Sequence, residues 1–175
     1  GLKKLEYRGY DSAGLCILND GHFFIDKKVG PVAQLEQSVA NQEIIGTIGI
    51  AHTRWATHGA PSENNAHPHF DCQGQIAVVH NGIIENYQAL KEVLTSEGYH
   101  FQSETDSEVL AHLIEKFYAG NLETAVAKAL ALVEGSYGLV ALSIKENKLV
   151  AVRQSSPLII GVGEGETFVA SDIPA

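Results

Sequence analysis

The sequence of 175 residues predicts an α+β fold. Strand-like segments come early, helical segments dominate the middle of the chain, and closely spaced strands joined by turns occupy its last quarter. Strands and helices that are segregated along a chain are typical of α+β domains, whereas a parallel α/β sheet alternates them regularly. Two packed sheets with helices on the outside satisfy this pattern, although the pattern alone does not require that arrangement.

The first third of the chain predicts a hairpin, a helix and a buried strand. Residues 2–7 have the features of a helix end, and strands follow at 13–18 and 22–29. Asp20-Gly21 joins these two strands, because this pair tolerates the positive φ angles of a tight turn. Apolar residues at helical spacing predict a helix at 31–40. A buried strand at 46–53 then leads into a long loop at 55–74.

The rest of the chain predicts helices and then strands. A strand at 75–80 ends at Asn81-Gly82, and Asn86 is a candidate N-cap for a helix from 87 to 97. The run Thr105-Asp106-Ser107-Glu108 fits a capping box that opens a second helix. A third helix is predicted from Asn121 to Val133. Strands follow at 139–144, 148–152, 158–162 and 167–170, with a turn at Glu146-Asn147.

Composition excludes several classes of protein. The net charge is -9 and the 12 Lys and Arg are scattered, so we expect no nucleic-acid partner. No apolar run approaches the ~20 residues needed to span a bilayer, so we expect no membrane partner. Cys16 and Cys72 are too few for a disulfide framework, which favours a reducing compartment, the cytoplasm. The chain has no Met and starts with Gly1, so residue 1 is not expected to be the untrimmed start of translation.

The segment 48–59 carries residues suited to binding a small anion. An apolar strand delivers Arg54, Trp55, Thr57 and His58 into a loop that two prolines keep from forming a helix. The guanidinium offers a fork for a carboxylate, the indole offers a broad cover, and Thr and His offer hydrogen-bond donors. The structural alternative is a strand end with one surface arginine and one half-buried tryptophan.

Two other positions each admit two interpretations. Asn81-Gly82 is either a hairpin turn or an oxyanion hole, in which the Asn amide and the Gly N–H point at one oxygen. Ile83-Ile84 continues the apolar run beyond this pair, which weakens the turn. Asp106, predicted in the first turn of a helix, either favours the helix dipole or accepts an ammonium opposite Arg54.

The remaining reactive side chains give weaker signals. No HExxH or comparable spacing occurs, so we expect neither a metal nor a cofactor, and we assign hydrogen-bonding roles to the loop histidines. The alternative is a metal-dependent amide hydrolase that uses His52, His58, His67, His69 and His80. Cys16 is predicted to be a buried, inert thiol, and Cys72 lacks the signature of a reactive one. Arg8 is either a surface charge or the partner of Asp11 in a structural network.

Five motifs together resemble one family. They are Glu-Tyr-Arg-Gly-Tyr-Asp-Ser-Ala-Gly at 6–14, His-Thr-Arg-Trp-Ala-Thr-His-Gly at 52–59, Asn-Ala-His-Pro-His at 65–69, His-Asn-Gly-Ile-Ile-Glu-Asn at 80–86 and Ser-Glu-Thr-Asp-Ser-Glu at 103–108. In this order they resemble the glutaminase domain of the glucosamine-6-phosphate synthases, the isomerizing glutamine–fructose-6-phosphate aminotransferases. The first two motifs favour that family over the related amidotransferases of purine synthesis.

The resemblance implies a fold, a reaction and a role for eight residues. The fold is a four-layer αββα sandwich of the N-terminal-nucleophile hydrolase type. The reaction is hydrolysis of the glutamine side-chain amide, which supplies ammonia for conversion of fructose 6-phosphate to glucosamine 6-phosphate. The implied oxyanion hole is Asn81 and Gly82, and the implied substrate contacts are Arg54 for the α-carboxylate and Asp106 for the α-ammonium. The implied closing loop contains Trp55, Thr57 and His58, and Arg8 is implied to organise the loop around the nucleophile.

The family's nucleophile is a cysteine at the mature N-terminus, whose own α-amine acts as the base for its thiol. Neither Cys16 nor Cys72 aligns with it. We therefore expect residues 1–175 to be a glutaminase domain that is truncated at both ends, lacks the sugar-isomerase domain and is inactive alone. The expected partners are glutamine, the sugar-isomerase domain of a longer chain and further copies of that chain. A non-catalytic amino-acid-binding module of the same fold is the alternative.

Overall fold

A computed structural model describes residues 1–175. The helices are α1 (Leu2–Leu5, followed by a 3₁₀ turn at Glu6–Arg8), α2 (Val32–Val39), α3 (Tyr87–Ser96), α4 (Glu108–Phe117) and α5 (Leu122–Leu130). The strands are β1 (Ser12–Asn19), β2 (His22–Val29), β3 (Ile48–Arg54), β4 (His69–Phe70), β5 (Ile76–Ile84), β6 (Gly135–Ser143), β7 (Glu146–Gln154), β8 (Ile159–Val162) and β9 (Thr167–Ala170). None of the helices combines the length and the apolar character that crossing a bilayer requires.

Two antiparallel sheets form the centre of the molecule. One has the strand order β2-β1-β3 and the other has the order β4-β5-β6-β7, while β8 and β9 pair separately. The register of β5 and β6 runs from Ile76 opposite Ser143 to Ile84 opposite Gly135. Strand β3 contacts β5, β6 and β7, so the two sheets pack face to face.

Alternating side chains of β5 line two separate cores. Ile76 and Val78 pack in the core that contains α4 and α5, where Leu110 is fully buried. Ala77 and Val79 pack on the other side, against Cys16 of β1. Because successive residues of a strand point to opposite faces, one apolar run serves both cores. The nearly continuous apolar character of β5 therefore reflects its central position.

A smaller core lies on the outer face of the three-stranded sheet. Ala13 of β1 packs there with Val32 and Leu35 of α2. The layers therefore run from α2 through the three-stranded sheet and the four-stranded sheet to α3–α5. This is the α+β, four-layer αββα arrangement that the resemblance implies.

Local turn and cap signals are confirmed at two positions. Asp20 and Gly21, between β1 and β2, have φ angles of 45° and 76°. At the start of α5, Asn121 Oδ1 accepts a hydrogen bond from the backbone N–H of Thr124 at 2.8 Å. Both features depend on contacts within four residues, which explains why the sequence alone predicts them.

Three predictions of local structure, namely the end of β5, a turn and a helix cap, are wrong. Strand β5 continues through Asn81-Gly82 to Ile84, since Asn81 pairs opposite Gly138 of β6, so no turn forms there. The predicted turn at 146–147 lies at 144–145 instead. Asn86 precedes α3 but does not cap it; its side chain bonds the backbone O of Leu132 at 2.9 Å and the backbone N–H of Glu134 at 3.1 Å.

The predicted capping box at 105–108 is also wrong. Helix α4 begins at Glu108, and no side chain caps its first turn. The Glu108 carboxylate instead accepts hydrogen bonds from the backbone N–H groups of Gln102 and Ser103, at 2.8 and 2.7 Å. Asp106 therefore lies before the helix rather than in its first turn.

Candidate active site

A cavity of about 410 Å³ opens beside the C-terminal end of β3 and the second half of β5. The eight residues singled out from the sequence are far apart in the chain, yet all of them line this cavity. They are Arg8, Arg54, Trp55, Thr57, His58, Asn81, Gly82 and Asp106. These residues come from four of the five motifs, and His67 of the motif at 65–69 also lines the cavity. The tertiary structure thus brings all five motifs to one concave surface.

Arg54, the last residue of β3, is a desolvated cation in the wall of this cavity. The residue is 4 % exposed. Its Nη2 donates to the backbone O of His58 and, at 3.1 Å, to that of Gly59. Its Nη1 has no hydrogen-bond partner and lies 3.9 Å from Asp11 Oδ1. Burial lowers the pKa of Arg54, while the charges of Asp11 and Asp106 oppose this shift. Nη1 is itself buried, so a ligand carboxylate can bind it only if the adjoining loop moves, and two-point binding also requires replacement of a loop carbonyl at Nη2.

The motif at 6–14 holds the loop that follows Arg54. A Cβ atom added at Gly9 would lie 2.7 Å from the backbone C of Arg54, so only glycine permits this close approach. The backbone N–H of Asp11 donates to Arg54 O at 3.2 Å, and its Oδ2 accepts from the backbone N–H of Ala56. Gly9 and Asp11 thus position the loop, a role that the sequence analysis did not assign to them.

The side chain of Arg8 contacts the segment after β9 and not the loop after Arg54. Its Nη1 donates to the backbone O and the Oγ of Ser171, at 3.3 and 3.4 Å. The predicted alternative of an Arg8–Asp11 network is wrong, because Asp11 bonds Ala56 and accepts from Ser12 Oγ at 2.9 Å. Arg8 lines the cavity and joins its rim to the segment after β9.

Asn81 presents its amide to the cavity in a fixed orientation. Its Oδ1 lies 2.9 Å from His52 Nε2, and burial lowers the pKa of His52 to about 4. His52 is therefore neutral near pH 7, and the contact with an amide oxygen requires the proton on Nε2. With Oδ1 engaged, the Asn81 Nδ2 remains as the donor, and no acceptor within the chain bonds it. An amide donor held in this way suits a developing negative charge.

Gly82 occupies a backbone conformation that favours glycine. Its φ angle is 127°. A Cβ atom there would lie 2.0 Å from the backbone O of Ser136 on the neighbouring strand β6. Strand pairing and the absence of a side chain therefore explain the glycine, and they also leave room for a ligand at this point of the wall.

Asp106 is a buried carboxylate that also lines the cavity. It is 4 % exposed, and its Oδ2 accepts from the backbone N–H of Ile84 at 2.8 Å. Its Oδ1 lies 3.9 Å from Nδ1 of His58. One carboxylate oxygen is therefore tied to β5, and the other accepts from Ser107 Oγ at 3.4 Å and lies beside the loop that carries His58.

The loop after Arg54 forms an exposed rim. Trp55 is 62 % exposed and packs edge-to-face against Tyr10, with ring centroids 5.8 Å apart. Thr57 is exposed, and His58 is half-buried against the edge of Tyr87. These three residues can cover a ligand only if the rim changes position, as expected for a loop with few buried contacts.

Asn65 braces the far side of this loop and was missed as a site residue. Its Nδ2 donates to the backbone O of Ala60 at 2.8 Å and to Glu104 Oε2 at 3.1 Å. Its Oδ1 accepts from the backbone N–H of Glu104 at 2.9 Å. A buried Asn with three bonds ties the loop to the segment that carries Asp106. The signal in the sequence was the motif at 65–69, for which no role was assigned.

Three histidines, His52, His67 and His69, form a stacked column, and the first two of them line the cavity. The ring centroids of His52 and His67 are 4.2 Å apart, and those of His67 and His69 are 4.5 Å apart. Burial lowers the pKa of His69 to about 3 and that of His67 well below its usual value. His80 is buried as well and bonds Ser107 Oγ at 2.8 Å. No three of these rings bring ligand atoms into one metal-binding group.

Neither cysteine lines the cavity. Cys16 is fully buried between the sheets, and burial raises the pKa of its thiol to about 12, which confirms an inert thiol. Cys72 is exposed in the turn between β4 and β5, and desolvation raises its pKa. The cavity thus offers cationic, anionic and amide groups but no thiol from these 175 residues.

The family profile described as a glutamine amidotransferase domain matches residues 52–175. The chain belongs to the glutamine amidotransferase family. It is 57 % identical to a glutamine–fructose-6-phosphate aminotransferase [isomerizing] of Clostridium acetobutylicum and 54 % identical to one of Pyrococcus horikoshii. Each alignment covers 100 % of this chain but 29 % and 30 % of the relative, respectively. These identities confirm the resemblance found in the five motifs.

Solved structures confirm the amidotransferase fold. Glutamine phosphoribosylpyrophosphate amidotransferase from B. subtilis, complexed with ADP and GMP, superposes with a TM-score of 0.81 at 27 % identity. The alignment covers 96 % of this chain and 37 % of the B. subtilis chain. A structure described as the allosteric regulatory enzyme of purine biosynthesis gives a TM-score of 0.85 at 28 % identity, covering 97 % and 37 %. The amidotransferase chain therefore has the N-terminal-nucleophile hydrolase sandwich.

Proposed function

We propose that this chain is the glutaminase part of a glucosamine-6-phosphate synthase, which hydrolyses the side-chain amide of glutamine and supplies ammonia for conversion of fructose 6-phosphate to glucosamine 6-phosphate. The observation that carries the proposal is one cavity lined by a cation with a free nitrogen, a buried carboxylate and an amide donor. Glutamine has a matching carboxylate, ammonium and amide oxygen. The names of the relatives support the same reaction.

The opposite charges set the direction of the substrate. Nη1 of Arg54 binds the α-carboxylate, and Oδ1 of Asp106 accepts the α-ammonium. The side chain of glutamine then extends toward Asn81 and Gly82. Trp55, Thr57 and His58 cover the substrate when the rim closes, and Arg8 supports the rim through Ser171.

The nucleophile is a cysteine at a free N-terminus, outside these 175 residues. Its α-amine takes the thiol proton, and the sulfur attacks the amide carbon to form a tetrahedral intermediate. Asn81 Nδ2 and the Gly82 N–H stabilise the oxyanion. Ammonia leaves with the proton, and water then hydrolyses the γ-glutamyl thioester to glutamate. Gly1 and Leu2 line the cavity, so residues attached before Gly1 would extend from its wall.

The proposed partners lie in the rest of the protein. The chain spans less than a third of the length of its relatives, and the remainder is proposed to hold the sugar-isomerase domain that receives ammonia. We propose that the full-length protein is a homo-oligomer. We also propose that it is located in the cytoplasm, because both cysteines are free thiols. We propose that residues 1–175 belong to the glutaminase domain of this longer chain.

A comparison of two proteins tests the proposal. The bare 175-residue chain should not hydrolyse glutamine, whereas the same domain with its natural upstream cysteine at a free N-terminus should release ammonia. Loss of a covalent nucleophile costs on the order of a million-fold in rate. Glutamate binding, measured by calorimetry on both proteins, reports whether the pocket forms. Comparable turnover by the two proteins would contradict the proposal.

Two alternatives make different predictions in the same experiment. A non-catalytic binding module binds glutamate, but the extended protein releases no ammonia. A metal-dependent hydrolase loses turnover when a chelator is added to the active protein, whereas a cysteine glutaminase keeps it. No three of the loop histidines bring ligand atoms close enough to bind one metal ion, which disfavours the metal-dependent hydrolase.

A further inference from the structure

A second cluster of reactive side chains lies away from the cavity, where the β4–β5 turn meets α4. Cys72 of the turn faces His112 and Glu115, which are three residues apart on α4 and share one face of the helix. One ligand atom from each residue lies within 4.8 Å of the other two. None of these residues lines the glutaminase cavity, so the cluster is independent of the function proposed above.

The distances in this cluster match a tetrahedral metal site. Cys72 Sγ lies 3.6 Å from His112 Nδ1, and this nitrogen lies 3.5 Å from Glu115 Oε2. With zinc–sulfur and zinc–nitrogen bonds of roughly 2.3 and 2.0 Å at a tetrahedral angle, sulfur and nitrogen are about 3.5 Å apart. The same geometry separates imidazole nitrogen and carboxylate oxygen by about 3.4 Å. A metal ion fits between these atoms without rearrangement of the backbone.

The surroundings hold each ligand in the orientation that metal binding requires. His112 is 1 % exposed, and its Nε2, which has no hydrogen-bond partner, faces Glu108 Oε1 at 3.5 Å. A proton on Nε2 leaves the lone pair of Nδ1 for the metal, and a carboxylate behind a ligating imidazole is a common second contact in metal sites. Glu108 is itself fixed by the backbone of Gln102 and Ser103.

The other two ligands are also held in place. Glu115 Oε2 accepts from the backbone N–H of Cys72 at 3.0 Å, and its Oε1 lies 3.4 Å from Nε2 of Gln73. The backbone N–H of His100 donates to Cys72 Sγ at 3.4 Å, a bond that favours the thiolate. Cys72 is exposed, so the ion has access from solvent and keeps one position for water.

We propose that Cys72, His112 and Glu115 bind a zinc ion that ties the β4–β5 turn to helix α4. The donor set of one thiolate, one imidazole and one carboxylate suits zinc, whereas calcium and magnesium prefer oxygen ligands alone. This site differs from the sequence-based expectation of no metal, because Cys72 and His112 are forty residues apart and only the fold brings them together.

Cobalt substitution in the natural full-length protein tests the site. Under reducing conditions, one equivalent of Co²⁺ should give a sulfur-to-cobalt charge-transfer band and the visible bands of a tetrahedral ion. Cys72→Ser should remove the charge-transfer band, and Glu115→Gln should weaken Zn²⁺ binding by at least about tenfold. Cys16→Ala and Glu92→Gln are the matched controls, since Cys16 is buried elsewhere and Glu92 is exposed on α3. Both should retain wild-type binding.

A thermal-unfolding measurement gives a second readout. Added Zn²⁺ should raise the Tm of the wild-type protein and of both controls but not that of Cys72→Ser, which keeps the buried His112 and is expected to fold. An unchanged cobalt spectrum in Cys72→Ser would overturn the proposal. So would a wild-type protein with no stoichiometric Zn²⁺ or Co²⁺ binding, since His112 then serves only as a partner of Glu108 and Glu115.

Discussion

The two walls of the cavity are built in different ways. One wall, the strand wall, contains Asn81 and Gly82 of β5, which pair with the neighbouring strand β6. The buried Asp106 belongs to this wall because it accepts a hydrogen bond from Ile84 of β5. The other wall, the loop wall, is the loop that follows Arg54, in which Trp55 is 62 % exposed. It is fixed mainly by single side-chain contacts from Asp11 and Asn65.

This difference separates two tasks of a glutaminase. Groups that stabilise charge in a transition state are most effective when they do not reorganise, and this is the role proposed above for Asn81 and Gly82 in the strand wall. A loop that admits and covers a substrate must move, and the contacts on the loop wall are few enough to allow it. We therefore expect changes in the strand wall to lower kcat and changes in the loop wall to raise KM.

The largest effect is expected for Asn81→Ala in the natural full-length enzyme. Loss of one oxyanion donor lowers kcat by about 10²–10³-fold. KM for glutamine should change little, because the charged ends of the substrate keep their partners. Asn147→Ala, an exposed change on β7, is the control in the same ammonia-release assay. A fall in kcat of less than threefold would remove Asn81 from the oxyanion hole.

Arg54→Lys tests the border between the two walls. Lysine keeps the charge but cannot bind both the loop carbonyls and a carboxylate, so kcat/KM should fall roughly tenfold to a hundredfold. Most of the loss should appear in KM. Arg153→Lys, exposed on β7, should behave like the wild type. Normal kcat/KM in Arg54→Lys would contradict the assignment of the α-carboxylate to this side chain.

Acidification should weaken the strand wall, because neutral histidines support it. The pKa of His52 is about 4 in the folded chain and roughly 6.5 when unfolded. The unfolded state therefore takes up a proton first, so the stabilisation is complete above about pH 6.5 and declines as the pH falls toward 4. For His52 alone the loss reaches roughly 2 kcal/mol near pH 5.

Urea unfolding at pH 7.5 and 5 measures this loss. His52→Asn should reduce the difference in unfolding free energy between the two pH values, whereas the exposed His22→Asn should leave it unchanged. Equal pH dependence in His52→Asn and the wild type would show that the pKa of His52 is the same in the folded and unfolded states.

The smallest effect is expected for Asp11→Ala, which loosens the loop wall. Removal of the acceptor for the Ala56 N–H should cost about 1 kcal/mol of unfolding free energy and raise KM a few-fold, with kcat nearly unchanged. Glu36→Ala, which breaks only an exposed pair with Lys3, is the control. A loss in kcat larger than the change in KM would show that the loop also orients the reacting groups.

Features that depend on neighbouring residues could be predicted from the amino-acid sequence. Hydrophobic alternation and helical spacing predicted the main strands and helices, Asp20-Gly21 predicted a turn, and Asn121 predicted a cap. The five motifs also identified the family and eight residues that line one cavity. These predictions succeeded because short-range backbone preferences and ordered motifs are present in the chain before it folds.

Contacts between residues far apart in the chain could not be predicted and became visible in the folded molecule. Pairing with β6 rules out the turn that was one of two interpretations of Asn81-Gly82. The Glu108 carboxylate binds the backbone N–H groups of Gln102 and Ser103 instead of forming a capping box. The contacts of His52 with Asn81 and of Cys72 with His112 join residues 29 and 40 positions apart. No local pattern encodes such pairs, because their free energy depends on burial and on partners that the folded sheets bring into contact.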